Sequence, residues 1–294
     1  METPKNIVRG RETPASFSDT GPESLRDIAV VWARRAQELI GAEVRRLGDP
    51  KLNVKMKSSP VDPVTVVDTA VERLLTSLIE KERPGDGIVG EEGADRASST
   101  GVRWVIDPID GTVNFLYGIP MFAVSIAAVV EDESVAGVVL NVATGELFSG
   151  ARGAGAHLTG PDGVTRELQC STVAATGQAL VATGFSYDSA FRQRQAELLR
   201  CILPEVRDIR RMGSAALDLC QVAAGRVDAY YEHALNGWDY AAGMIIAEEA
   251  GVRVVAPPID SRSTDRELIW AAGVALADEF RSLLERGARV SRLQ

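Results

Sequence analysis

Between residues 103 and 151 the chain passes through four short apolar stretches, at 103–107, 121–130, 134–142 and 145–151, separated by turn residues such as EDES and ATG. Strands so short and so closely spaced predict an antiparallel meander. Beyond about residue 175 the rhythm changes to alternation. Strands are expected at 179–183, 206–211, 227–231, 252–256 and 268–273, and helices at 189–202, 214–224, 239–250 and 275–287, the pattern of α/β layering. Two helices are expected to precede the meander. The first follows a capping box at Ser24–Asp27 and runs to about Arg46, with Leu25, Ile28, Val31, Trp32, Leu39 and Ile40 at helical spacing. The second runs from Val66 to Lys81, with Val67, Val71, Leu74, Leu75 and Leu78 on one face. Between them VKMKSSPVDPVT (54–65) reads as a loop holding at most short extended pieces, and GIVGEEG (87–93) as a short strand entering a loop. The expectation is a polar, mobile tail over 1–23, an α+β domain over 24–175 and an α/β domain over 176–294, with no floppy linker between the two.

Several function classes fit the composition poorly. No apolar stretch reaches the ~18 residues of a membrane span, and the first residues lack the apolar core of a signal peptide, so the cytoplasm is the expected compartment. The formal net charge of −9 gives no general attraction for nucleic acid or anionic lipid. Arg207, Arg210 and Arg211 read as a solvated face or a local basic patch. Cys170, Cys201 and Cys220 are too few and too scattered for a disulfide framework. With only two histidines, His157 and His233, a zinc site of nitrogen and sulfur ligands is poorly supplied.

The chemistry concentrates in WVIDPIDGTVNF (104–115). An apolar strand runs into two acids, Asp107 and Asp110, separated by Pro108 and Ile109 and followed by Gly111. Pro108 disfavours helix at Asp107 and Gly111 permits a tight turn, so DPIDG reads as a turn with both carboxylates on one side. Held close in a partly desolvated place, two such charges repel until one takes a proton or a cation joins them. A solvated surface turn without chemistry is the equal alternative at this point. Other acids lie in comparable places: Glu91 and Glu92 in VGEEG, Asp68 early in the second helix, and Asp239 opening a helix in GWDYAAG. Taken singly they read as solvated loop acids or helix caps. If Glu91, Asp107, Asp110 and Asp239 converge, their charge of about −4 suits two Mg²⁺ ions, which prefer oxygen ligands. Thr112 could orient a water there, or simply cap a helix.

WVIDPIDGTVNF resembles the first signature of the inositol monophosphatase family, and WDYAAGMIIAEEAG (238–251) resembles the second. KSSPVDPVTVVD (57–68), GEE (90–92), GIPMFAVSIA (118–127) and RRMGSAALDLCQVAAGRVDAYYE (210–232) resemble further family segments in the family's order, so the likeness spans roughly residues 25–288. It is closest to the bacterial SuhB-like branch. The resemblance implies the layered αβαβα sandwich of the inositol monophosphatase and fructose bisphosphatase type, and a Mg²⁺-dependent phosphomonoesterase hydrolysing myo-inositol 1-phosphate by metal-activated water. It implies one Mg²⁺ on Glu91, Asp107 and the carbonyl of Ile109, a second on Asp107, Asp110 and Asp239, and a weaker third near Glu91. Thr112 paired with Asp68 would polarise the attacking water, with Glu91 counted among the catalytic residues. Gly111 and Thr112 amides would meet phosphate. Asp110, Gly213, Ser214, Ala215, Glu232 and Asp239 would face the inositol, with Lys57 beside them. Homodimers and Li⁺ inhibition are further family expectations. Tyr240 is bulkier than the residue expected there, and Gly251-Val252 ends the second signature less typically.

The phosphate-binding end cannot separate sister activities on histidinol phosphate, fructose 1,6-bisphosphate or 3′-phosphoadenosine 5′-phosphate. Glu232 favours inositol among them. A different class, a regulatory binding protein in transcription complexes, is the remaining alternative.

Overall fold

The structure, a computed structural model, describes residues 21–47, 54–56, 63–291 and 293. Lys57 and most of the expected N-terminal tail lie outside the described residues. In chain order the elements are α1 (Pro22–Leu47), β1 (Val54–Met56), β2 (Pro63–Thr65), α2 (Val66–Glu82), β3 (Gly87–Gly90), β4 (Asp95–Arg96), β5 (Val102–Asp110), α3 (Thr112–Tyr117), β6 (Ala123–Val130), β7 (Glu133–Asn141), β8 (Leu147–Ala151), β9 (Ala156–Thr159), β10 (Thr165–Glu167), β11 (Leu180–Thr183), α4 (Ser189–Ile202), β12 (Asp208–Arg210), α5 (Ala215–Ala223), β13 (Ala229–His233), α6 (Gly237–Glu249), β14 (Val252–Val255), β15 (Leu268–Gly273) and α7 (Ala277–Ser291).

The meander forms. Strands β5 to β10 pair antiparallel with their sequence neighbours, and β3 adds parallel to β5, giving an eight-stranded sheet in the order β10-β9-β8-β7-β6-β5-β3-β4. A second, five-stranded sheet runs β12-β11-β13-β15-β14, with β11 parallel to both its neighbours and the remaining pairs antiparallel. Helices α1 and α2 cover one face of the large sheet, α5 and α6 fill the space between the sheets, and α4 and α7 cover the far face of the small one. The result is the α–β–α–β–α sandwich. Both faces of the large sheet are covered, which is why β6 and β7 are apolar almost throughout instead of alternating.

Three local readings change. Helix α1 starts two residues before Ser24, with Pro22 at its first position, where a missing N–H costs nothing; Ser24 therefore sits inside the first turn and is not the cap. DPIDG is not a simple turn, because β5 continues through Asp110. The short pieces β4, β9, β10 and α3 had no sequence signal strong enough to mark them. Tyr240, unexpected in its bulk, is fully buried and donates its hydroxyl to the carbonyl of Pro258 at 2.8 Å, so the extra size ties α6 to the segment after β14. All three cysteines are free.

The core under α1 and α2 centres on Trp104. Its ring meets Trp32 edge-on, with centroids 4.7 Å apart. Its indole N–H donates at 2.9 Å to buried Asp86, which also accepts from Arg83 at 2.8 Å and Thr100 at 2.6 Å. Trp104→Ala would open a large cavity and take a donor from a buried carboxylate. We expect a loss of about 4 kcal/mol, read as a lowered midpoint in urea denaturation.

Candidate active site

A cleft of about 640 Å³ opens between the two sheets. The segments lining it come from the carboxyl ends of strands or the first turns of helices, the usual place for ligands in layered α/β proteins. Glu91 follows β3, Asp107, Ile109 and Asp110 end β5, and Gly111 and Thr112 begin α3. Phe185 to Asp188 follow β11, Arg211 and Gly213 follow β12, Glu232 lies near the end of β13, and Trp238 and Asp239 open α6. Ala215 at the start of α5, Ala234 to Asn236 between β13 and α6, and Ser263, Thr264 and Arg266 between β14 and β15 complete the wall.

Parity brings the two signature acids together. Residues three apart on a regular strand face opposite sides. Here Asp107 pairs with Ser125 and Asp110 with Ala123, so three steps on β5 match two on β6. That bulge, at Pro108-Ile109, resets the alternation and turns both carboxylates into the cleft. Gly111 then takes φ 93°, a left-handed conformation that closes the strand into α3. A β-carbon at Gly111 would also sit 2.9 Å from the carbonyl oxygen of Met121 and 3.1 Å from that of Gly213, so two constraints select glycine.

Each Asp is anchored through one oxygen. Asp107 Oδ1 accepts the N–H of Ile109 at 3.0 Å. Asp110 Oδ2 accepts the Ser214 hydroxyl at 2.6 Å and the N–H of Ala216 at 2.8 Å. Asp239 Oδ2 accepts the N–H of Asn236 at 2.7 Å, so it closes the first turn of α6 while standing in the cleft. A carboxylate has a second oxygen to offer once the first is fixed. Burial raises the pKa of Asp107 well above the usual carboxylate range, reinforced by the charges of Glu91, Asp110 and Asp239. Asp239 is raised likewise by burial, then by Asp110 and Glu91. Burial lifts Asp110 to about 6 against the lowering effect of Ser214 and Ala216.

Among the described residues no three His, Cys, Asp or Glu side chains already form a closed metal-ligand group. The donor chemistry nonetheless fits a hard divalent cation. Four carboxylates converge on one cleft beside the carbonyl of Ile109, all donors are oxygen, and burial together with repulsion raises the proton affinity of Asp107 and Asp239. A cation relieves that repulsion as a proton does.

The other expected residues separate. Thr112 lines the cleft, and its hydroxyl has two acceptors, Asp68 Oδ1 at 3.2 Å and the carbonyl of Ile109 at 3.1 Å. Asp68 does not line the cleft; it is fully buried behind Thr112. Gly213 and Ala215 line the cleft, whereas Ser214 does not. Its hydroxyl is spent on Asp110 and on capping α5 through Leu217 N–H at 3.3 Å, so its place is behind a carboxylate and not against a ligand. Glu232 lines the cleft and accepts the Tyr230 hydroxyl at 2.8 Å. Burial raises it to about 7, with Tyr230 and Arg211 pulling the other way.

Arg211, Phe185, Tyr187, Trp238 and Arg266 also line the cleft. Arg211 was legible only as part of a basic run, and Trp238 only within the second signature. Arg266 had no signal, because it arrives from an irregular segment, where it bridges to Asp188 at 2.8 Å and stacks over Phe191 at 4.9 Å.

The raised acids have a measurable consequence without metal. A carboxyl whose folded pKa exceeds its unfolded value of about 4 binds more protons folded than unfolded between those two values. Stability therefore falls as pH rises from about 4 through about 6 for Asp110 and about 7 for Glu232. We expect the Tm of EDTA-treated protein to decline across pH 5–7.5, and Asp110→Asn with Glu232→Gln to flatten that decline.

Comparisons with known proteins agree on one family. The sequence model of the inositol monophosphatase family matches residues 22–289. The chain is 48% identical over 290 residues to the protein of Mycobacterium tuberculosis named inositol-1-monophosphatase SuhB, covering 95% of this chain and 97% of that one. It is 38% identical over 227 residues to a protein of Pasteurella multocida named Nus factor SuhB, covering 76% of this chain and 82% of that one. Among solved structures, Mycobacterium tuberculosis SuhB superposes with a TM-score of 0.79 at 45% identity, covering 92% of this chain and 98% of that one.

Proposed function

The chain belongs to the inositol monophosphatase family, and from that premise we propose that its cleft hydrolyses myo-inositol 1-phosphate to myo-inositol and phosphate with Mg²⁺ as the cation. It is a phosphatase, a phosphoric monoester hydrolase. The observation that carries the reading is the convergence of Glu91, Asp107, Asp110 and Asp239, from separate segments, on one cleft that Thr112 also lines.

Glu91, Asp107 and the carbonyl of Ile109 would hold one ion, Asp107, Asp110 and Asp239 a second, and Glu91 would attract a third through water. Bound there, Mg²⁺ would neutralise the carboxylates, draw in the phosphate oxygens and lower the pKa of water. Thr112 has one hydroxyl proton; donating it to Asp68 leaves only lone pairs toward the cleft, so the hydroxyl accepts from the incoming water and aims its oxygen at phosphorus. The amides of Gly111 and Thr112 face the phosphate. A new P–O bond forms from water, the P–O bond to inositol breaks, and the leaving oxygen takes up a proton. Glu232, fixed by Tyr230, accepts from inositol hydroxyls beside Gly213 and Ala215. Lys57 is kept as a proposed contact. We further propose a cytoplasmic homodimer, inhibited by Li⁺; among the described residues no helix is long and apolar enough to cross a membrane.

A panel of phosphomonoesters tests the substrate. We expect kcat/KM to be highest for myo-inositol 1-phosphate and lower for histidinol phosphate, fructose 1,6-bisphosphate and 3′-phosphoadenosine 5′-phosphate. Glu232→Gln should lower the inositol value selectively. A clear preference for another member of the panel would reassign the substrate. The relative named Nus factor SuhB favours a second reading, a regulatory role alongside catalysis. Recovery of transcription factors by the Asp107→Asn protein in a pull-down would support it.

A further inference from the structure

Helix α2 supplies two buried acids one turn apart. Asp68 accepts from Thr112. Glu72, four residues on and therefore on the same face, is 6% exposed and reaches the loop after β3. Its Oε2 accepts the N–H of Glu92 at 2.7 Å and its Oε1 the N–H of Ala94 at 3.0 Å. The same short loop is closed by the N–H of Gly90 on the carbonyl of Ala94 at 2.7 Å, and the N–H of Glu91 reaches the carbonyl of Ile106 at 3.3 Å. A β-carbon at Gly90 would run into the Glu72 carboxylate, so the loop and the acid are fitted to each other. Backbone N–H groups turned on one anion in this way form a nest that fixes loop geometry.

Glu91 is borne by that loop. Unlike Asp107 and Asp110 on a nine-residue strand, or Asp239 on a thirteen-residue helix, it stands between a four-residue and a two-residue strand. We infer that Glu72 is a positioning residue: by gripping the N–H groups of Glu92 and Ala94 it sets the place of Glu91 and, through it, the affinity of the cleft for a divalent cation. Helix α2 thereby ties the Thr112–Asp68 pair and the Glu91 loop to one rigid element. This inference rests on the proposed function of the site.

The test is isothermal titration of Mg²⁺ into the full-length protein, beside steady-state kinetics across Mg²⁺ concentration. Outer partners of metal ligands typically change affinity about 10- to 100-fold. Glu72→Ala is expected to raise the Mg²⁺ Kd about tenfold or more. Glu72→Gln, which keeps the size and one acceptor but turns an NH₂ toward an N–H, should give a smaller rise. In both, kcat should return toward the wild-type value at saturating Mg²⁺. Glu72→Gln keeps the test decisive if Glu72→Ala does not fold. Variants that melt lower in EDTA yet bind Mg²⁺ as wild type does would make Glu72 merely structural and overturn the inference alone. Wild-type protein that binds no Mg²⁺ would overturn the reading of the site and this inference with it.

Discussion

Asp107→Asn is expected to lower turnover of myo-inositol 1-phosphate on the order of 10²- to 10³-fold, the scale of losing one preorganised electrostatic contact to the transition state, while the metal-free protein melts no lower than wild type. The two halves of this expectation have one cause. Asp107 is almost wholly buried, and its carboxyl faces the charges of Glu91, Asp110 and Asp239. Without a cation, folding must either keep that charge out of water or hold a proton on it. Asparagine has the same shape and retains an Oδ1 for the N–H of Ile109, but carries no charge to desolvate. The variant therefore loses the charge that a metal ligand would supply and is relieved of what burying that charge costs. Kinetics and thermal melts in EDTA, on one preparation, test both halves. A variant that melts much lower would mean that Asp107 serves the fold, and one with full turnover would remove it from the reaction.

Gly184→Ala is expected to reduce kcat/KM for myo-inositol 1-phosphate roughly 10- to 100-fold, the equivalent of one hydrogen bond to a charged group. Gly184, at the end of β11, is buried, and a β-carbon built there would overlap the carboxylate of Glu232. Tyr230 holds that carboxylate through Oε2 at 2.8 Å, so the added methyl must push Glu232 out of its place in the cleft. The effect should fall mainly on KM. Hydrolysis of p-nitrophenyl phosphate, which presents no polyol, should change little, because the nearest atoms to that β-carbon all belong to Glu232. Equal losses on both substrates would point to a general distortion of β11 and β13 instead.

The sequence was most informative where periodicity is strong and uninterrupted. Helix α4 falls at Ser189–Ile202, as its spacing predicts, because Asp188 supplies a plain N-cap, accepting from Ala190 N–H at 2.9 Å. Short elements such as β9 and β10 escaped because three or four residues carry no period; pairing with neighbours, not propensity, makes them. The four acids could be identified from their motifs, but their convergence could not be read from spacing. Asp107 and Asp110 face one way only because of a bulge, and Asp239 meets them only because α6 is packed between the sheets. Ser214 shows the opposite limit. Its motif put it against substrate, whereas its hydroxyl holds Asp110, a difference invisible until α5 is placed. Glu72, Gly184 and Arg266 gave no local sign at all, since each matters through a contact distant in sequence.

The central claim, that the carboxylate cleft is a divalent-cation site for phosphomonoester hydrolysis, is tested most directly by phosphate release from myo-inositol 1-phosphate by the purified protein, first stripped with EDTA and then given back Mg²⁺. The account predicts no turnover in EDTA and recovery as Mg²⁺ is restored. Release undiminished by EDTA, or none at any Mg²⁺ concentration, would contradict it.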